Sequence, residues 1–236
     1  MSDRYFMDRP IVDSLAVLDG AEAHHLIHVM RARPGTEIVL FDGSGAEFPA
    51  RVERLGRAEV ELSVLGRDEI DRELPRAVTL AVALPKGDRQ RWLVEKATEL
   101  GVARLVPLRT TRSVAQPVQQ AIGRLRRAAI EASKQCGRNR LLEIAEPQAW
   151  PDFLADTAAE PCRLLAHPAE DAAKSHPLRA AHSTDPVLLA VGPEGGFTDE
   201  EVALGTVAGW QPVDLGPRIL RTETAAILLA AIFGAS

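Results

Sequence analysis

Cysteine is almost missing from this chain: Cys136 and Cys162 are the only two. Two thiols cannot build a disulfide framework or a cysteine-rich zinc site, and Cys-x-x-Cys is absent. Such usage suits a reducing compartment. Aromatic residues make up 4% of the chain, with one tyrosine and three tryptophans. Any grip on nucleic acid would therefore rest on charge more than on base stacking. Long apolar runs are also lacking. The longest, Ala225 to Phe233, is less than half of the roughly 20 residues that a membrane helix needs. The opening residues MSDRYFMDRP are polar and lack the apolar centre of a signal peptide. The expected location is the cytoplasm, with no membrane partner. Neither the phosphate-loop nor the dinucleotide glycine fingerprint occurs, which counts against a nucleotide-binding α/β protein.

What is present is an uneven charge. The 236 residues carry a net charge of -5, which taken whole argues against a nucleic-acid partner. Residues 1–75 hold nine basic and fifteen acidic side chains, and residues 141–236 hold five and fourteen. Residues 86–140 hold thirteen basic and four acidic ones. Arg124, Arg126, Arg127, Lys134, Arg138 and Arg140 have only Glu131 near them in sequence. A one-sided basic segment of this kind favours a phosphate-facing surface.

Periodicity divides the chain in two. Residues 1–72 read as short strands (Thr36–Phe41, Phe48–Arg54, Ala58–Leu65) with a turn at Asp42-Gly-Ser-Gly45 and one helix over Ala21–Met30. This suggests a small β-barrel. The charged stretch Asp68–Pro75 is the linker. Residues 73–236 alternate strands with helices, beginning at the uncharged run Val78–Leu84, and predict an α/β domain around a parallel sheet. Thr198 and Glu201 fit a capping box.

Three motifs carry chemistry. Gly192-Pro-Glu-Gly-Gly196 follows a strand and precedes a capped helix, so backbone groups there can approach a ligand closely. Leu215-Gly-Pro-Arg-Ile-Leu-Arg-Thr-Glu-Thr224 places Arg221 at a helix N-terminus, where the dipole disfavours a cation. That hints at an anionic or electron-rich partner. His24-His25-Leu-Ile-His28 has an i, i+4 histidine pair, but it lacks the glutamate of the zinc-hydrolase pattern and any third ligand, so no metal is expected.

With Lys86-Gly-Asp-Arg89, Glu95-Lys-Ala-Thr-Glu-Leu-Gly101 and Gln135-Cys-Gly-Arg-Asn-Arg140, the Gly192–Gly196 and Leu215–Thr224 motifs bring the chain to a known family. It resembles, nearly end to end, the RsmE family of small-subunit ribosomal RNA uridine N3-methyltransferases in the knotted SPOUT superfamily. It departs from the family's usual pattern at Thr111, Lys134 and Leu141-Leu142. The resemblance implies an N-terminal PUA-like barrel over 1–72 and a SPOUT methyltransferase domain with a deep trefoil knot over 73–236. It also implies a homodimer, S-adenosylmethionine as cofactor, and 16S ribosomal RNA as partner, in an assembled or assembling small subunit.

Carried over by position, the resemblance assigns the cofactor to Leu165, Ala166 and His167, to Val191, Gly192, Glu194, Gly195 and Gly196, and to Leu215, Gly216, Ile219, Leu220 and Thr222. Arg138, Arg221 and Glu194 are the candidate catalytic residues, the arginines stabilising a uracil anion and Glu194, or Glu223, accepting a proton. Arg4, Arg31, Arg33, Lys86, Arg112, Arg126, Arg127, Lys134 and Arg138 are the expected RNA contacts. Two competing readings are a SPOUT enzyme acting on a ribose 2′-hydroxyl and a non-catalytic RNA-binding or ribosome-assembly protein.

Overall fold

The computed structural model describes residues 3–113, 119–168 and 184–234. The chain forms two compact units, the first made of Met1–Glu73 with Ser133–Leu141, the second of Leu74–Ala132 with Leu142–Ser236.

In the first unit the strands are β1 (Arg4–Phe6), β2 (Leu15–Leu18), β3 (Glu37–Phe41), β4 (Ala46–Leu55), β5 (Val60–Val64) and β6 (Asp68–Glu69). They form one sheet in the order β1-β3-β4-β5-β2, with β6 beside β4. Only β1 and β3 run parallel. Alternation sets which face is buried: Ala50 and Val52 are buried while Arg51 and Glu53 are exposed. A register shift between Val52 and Arg54 bends β4 against β5. The expected Ala21–Met30 helix is a short α-helix, α1 (Gly20–His24), that runs into one π-helical turn at His25–Val29. The wide turn is closed by the Met30 N–H on the His25 carbonyl at 3.0 Å, and past it the Ala32 N–H returns to the Leu26 carbonyl at 3.1 Å. Arg31, at φ +53°, turns the chain there.

The returning segment Ser133–Leu141 belongs to this unit through ion pairs. Arg138 donates from Nε to both oxygens of Glu73 at 2.9 and 3.1 Å and from Nη2 at 2.5 Å. Arg4 reaches Glu47 at 2.6 Å and the Asn139 Oδ1 at 2.5 Å. Arg72 binds Glu47 and donates to the Gly137 carbonyl, and Lys134 pairs with Glu22 at 2.8 Å. Burial alone would raise the Glu47 carboxyl, but hydrogen bonds from Arg72 and Arg4 outweigh it and hold the group below the ordinary carboxylate value. A depressed carboxylate stabilises the fold above its unfolded pKa of about 4.3, and that contribution is lost as pH falls through the lower folded value. Acid titration of the wild type should therefore show a loss of stability below about pH 4, and Glu47→Gln should be less stable at neutral pH with a flatter acid limb. Chemical denaturation at a series of pH values checks this.

The second unit contains β7 (Val78–Val82), α2 (Arg89–Glu99), β8 (Arg104–Arg109), α3 (Gln119–Cys136, whose last four residues belong to the first unit), β9 (Glu143–Ile144), β10 (Gln148–Ala149), α4 (Trp150–Asp156), β11 (Cys162–Ala166), β12 (Val187–Val191), α5 (Asp199–Val207), β13 (Gln211–Val213) and α6 (Thr222–Gly234). The sheet is parallel in the order β10-β8-β7-β12-β11-β13, with β9 beside β8. β7 and β12 are central and almost wholly buried, as uncharged strands covered on both faces must be. On one face α2, α3 and α6 enclose Leu80, Leu93, Leu125 and Leu229, each such side chain contributing about 1.5–3 kcal/mol. On the other, Trp150, Phe153, Phe197 and Trp210 form an aromatic cluster with ring centroids 4.9–6.3 Å apart. No described helix is long and apolar enough to cross a membrane.

Candidate cofactor site

At the C-terminal ends of β11, β12 and β13 three loops meet around a cavity of about 560 Å³. This is where parallel α/β sheets characteristically bind ligands, and the volume lies in the range of small-molecule sites. His167 and Pro168 follow β11, Gly192–Phe197 follow β12, and Asp214–Leu220 follow β13. Of the residues expected at the cofactor, all but one line this cavity. The exception is Leu165, which is fully buried in β11 among the tryptophans. Alternation along the strand turns it away, and only at Ala166 does the chain reach the cavity.

The Gly192–Gly196 loop is held from several directions. A Cβ at Gly192 would lie 2.9 Å from the Phe197 backbone nitrogen and 3.0 Å from the Gly196 carbonyl carbon, so the turn closes only over glycine. Phe197 rests on Trp150 beneath it. Arg112 donates to the Gly195 carbonyl at 2.7 Å. Arg89 stands between Glu194 on the loop and Glu223 in the first turn of α6, at 3.5 and 3.6 Å. Behind the loop the capping box is formed as expected: Thr198 accepts from the Glu201 N–H, and Glu201 accepts from the Thr198 N–H. Glu201 also accepts the N–H and hydroxyl of Thr111 at 2.7 and 3.0 Å, so the strap bearing Arg112 is tied to the same carboxylate. Gly192→Ala should weaken cofactor binding about tenfold or more while costing about 1–3 kcal/mol of stability; calorimetry and thermal melting read the two effects.

On the opposite wall, Gly216 takes φ +102°, and its N–H is held by Asp214 at 2.8 Å. Thr222 lines the cavity, is 3% exposed, and its hydroxyl has no hydrogen-bond partner among the described residues. Glu223 is buried behind it, and one of its carboxylate oxygens is also without a partner. Ile219 is fully exposed at the rim.

The expected catalytic residues are not all brought together. Glu194 is on the rim, and Arg221 is exposed immediately before α6. Arg138 is 3% exposed and engaged with Glu73 in the first unit. Among the expected RNA contacts, Arg4 and Lys134 are likewise occupied by Glu47 and Glu22. Arg126 donates to the Ile144 carbonyl and reaches Glu146, and Arg112 holds the cavity loop. Arg31, Arg33, Lys86 and Arg127 are exposed. Residues given no role at the site from sequence are Arg89, which stands in the Lys86–Arg89 motif but acts through two distant carboxylates, and Asp214, whose position two residues before Gly216 is a legible Asx-turn signal.

Known proteins agree with this architecture. A family model described as an RNA methyltransferase domain matches residues 72–234, and one described as an RNA methyltransferase PUA domain matches residues 18–65. The ribosomal RNA small subunit methyltransferase E of Synechocystis sp. is 34% identical over 91% of this chain and 71% of its own length, and that of Bacillus subtilis 31% identical over 88% and 85%. A putative methyltransferase from Legionella pneumophila, solved in complex with S-adenosylmethionine, superposes with a TM-score of 0.89 at 33% identity, covering 100% of this chain and 98% of the other. The ribosomal RNA small subunit methyltransferase E from Neisseria gonorrhoeae, also solved with that cofactor, gives 0.86 at 29% identity, covering 98% and 96%. With both of its parts matched, the chain belongs to the ribosomal RNA small subunit methyltransferase E family.

Proposed function

We propose that this chain transfers a methyl group from S-adenosylmethionine to N3 of a uridine in small-subunit ribosomal RNA. The observation that carries the reading is the cavity at the three strand ends, lined by the loops that the family resemblance assigns to the cofactor. The site suits that group. The loop glycine admits no side chain, four of the lining residues are glycines, and the buried Thr222 hydroxyl supports the reading as a polar atom in want of a partner. When bound, S-adenosylmethionine supplies a methyl group activated by a sulfonium.

The protein's part is positioning and charge. Uracil N3 lies on the Watson–Crick edge and bears a proton, so the base must be unpaired or flipped out to react. Arg221 is exposed beside the cavity-lining Leu220 and Thr222 and is the group suited to stabilising the uracil anion. We assign that role to it in preference to Arg138, whose guanidinium is committed to Glu73. Glu194 on the rim is suited to accepting the N3 proton. Orientation against an already reactive methyl donor supplies much of the remaining rate. The trefoil knot, the homodimer, the small-subunit context and the cytoplasmic location belong to the same reading.

Isothermal calorimetry with S-adenosylmethionine tests it: micromolar binding to the full chain is expected, and no binding at millimolar cofactor would leave the non-catalytic RNA-binding reading.

A further inference from the structure

The long helix α3 carries three arginines within four residues, and the structure separates them. Arg126, although half exposed, is tethered toward the sheet, where its Nη2 donates to the Ile144 carbonyl at 3.0 Å and pairs with Glu146 at 3.3 Å. Arg124 and Arg127, three residues apart, share the other side of the helix. Both are exposed, and neither has a hydrogen-bond or ion-pair partner among the described residues. They line a groove of about 630 Å³ between α3 and the start of α2, with Leu125 in its wall. Arg91 lines the same groove but is paired with Glu95 at 2.7 Å. Asp88 and Glu131 also contribute to the walls.

We propose that this groove is where the RNA backbone docks, its phosphates taken by Arg124 and Arg127 and not by Arg126. This deepens the methyltransferase reading and rests on it. Two guanidinium groups held without internal acceptors beside a concavity are the arrangement that gains from phosphate contact, since each contact releases counterions. With Arg91 paired and Asp88 and Glu131 on the walls, Arg124 and Arg127 are the groove's unpaired cations among the described residues. Arg126 is held through its Nη2 on the Ile144 carbonyl and the Glu146 carboxylate, so a phosphate would have to compete with partners it already has. The basic segment therefore acts by location and not by net charge.

The test compares single reversals that change the charge equally: Arg124→Glu, Arg127→Glu and Arg126→Glu in the full chain. Binding of a fluorescein-labelled hairpin from small-subunit RNA is followed by anisotropy over a range of salt. Arg124→Glu and Arg127→Glu should each weaken binding about threefold to tenfold and lower the salt slope by about 1. Arg126→Glu should keep the wild-type slope. S-adenosylmethionine affinity, measured on every variant, should be unchanged and reports that each is folded. Equal losses at all three positions, or wild-type binding by Arg124→Glu and Arg127→Glu, overturn the groove assignment. Absence of wild-type binding both to the hairpin and to assembled small subunits would instead overturn the methyltransferase reading itself.

Discussion

Arg138→Ala should lower the stability of the first unit by about 3 kcal/mol and leave the affinity for S-adenosylmethionine unchanged. Removing one member of a buried ion pair strands the other, at a cost of about 3–5 kcal/mol; the lower end applies because the Glu73 side chain retains 19% exposure. Glu73 would lose all three of its hydrogen bonds from Arg138. Hydrogen exchange of the β3, β4 and β5 amides reads the loss directly. Replacing both partners by methionine should recover most of it, because apolar residues of similar volume can substitute for a buried pair. If Arg138 instead served the reacting base, the double replacement would recover stability but not turnover.

Arg89→Ala should weaken S-adenosylmethionine binding about tenfold, equivalent to about 1.4 kcal/mol, and destabilise the second unit by about 1–3 kcal/mol. The two effects have different origins. Glu223 is buried, and Arg89 is its ion-pair partner, so stability falls when the carboxylate is left alone. Glu194 sits on the cavity rim, so affinity falls when the loop loses its tether to α6. Arg89→Met combined with Glu223→Met should restore the melting temperature and leave the affinity low. Recovery of both together would show that Arg89 acts through stability alone. Arg89→Lys should restore part of the affinity, since an ammonium supplies the charge without the planar fork that serves two carboxylates.

Local features of the site could be read from sequence, and long-range pairings could not. Glycine spacing after apolar runs marked the cavity loops, because strand ends and close backbone approach leave local traces at Gly192–Gly196 and Gly216. The capping box at Thr198 and Glu201 was equally local. Arg138 and Glu73 are 65 residues apart, and nothing in either neighbourhood announces the partner. The same holds for Lys134 and Glu22, 112 residues apart. The basic middle of the chain was therefore readable as an excess of charge but not as a division of labour. Its C-terminal part neutralises carboxylates of the first unit, while the guanidinium groups of Arg124 and Arg127 have no ion-pair partner among the described residues. The π-helical turn at His25–Val29 was hidden for another reason, since its five residues are too few to shift the apparent period. Leu165 is expected at the cofactor because the resemblance assigns the segment Leu165-Ala-His167 to it, whereas the strand's alternation of faces turns its side chain into the aromatic cluster.

The most direct test of the central claim is to incubate the purified chain with small ribosomal subunits, and with the RNA extracted from them, in the presence of S-adenosylmethionine and map the product by primer extension with nucleoside mass spectrometry. The account predicts a cofactor-dependent stop at one uridine and a methyl group on its N3. A methylated ribose with no stop, or RNA recovered unmodified from both, would contradict it.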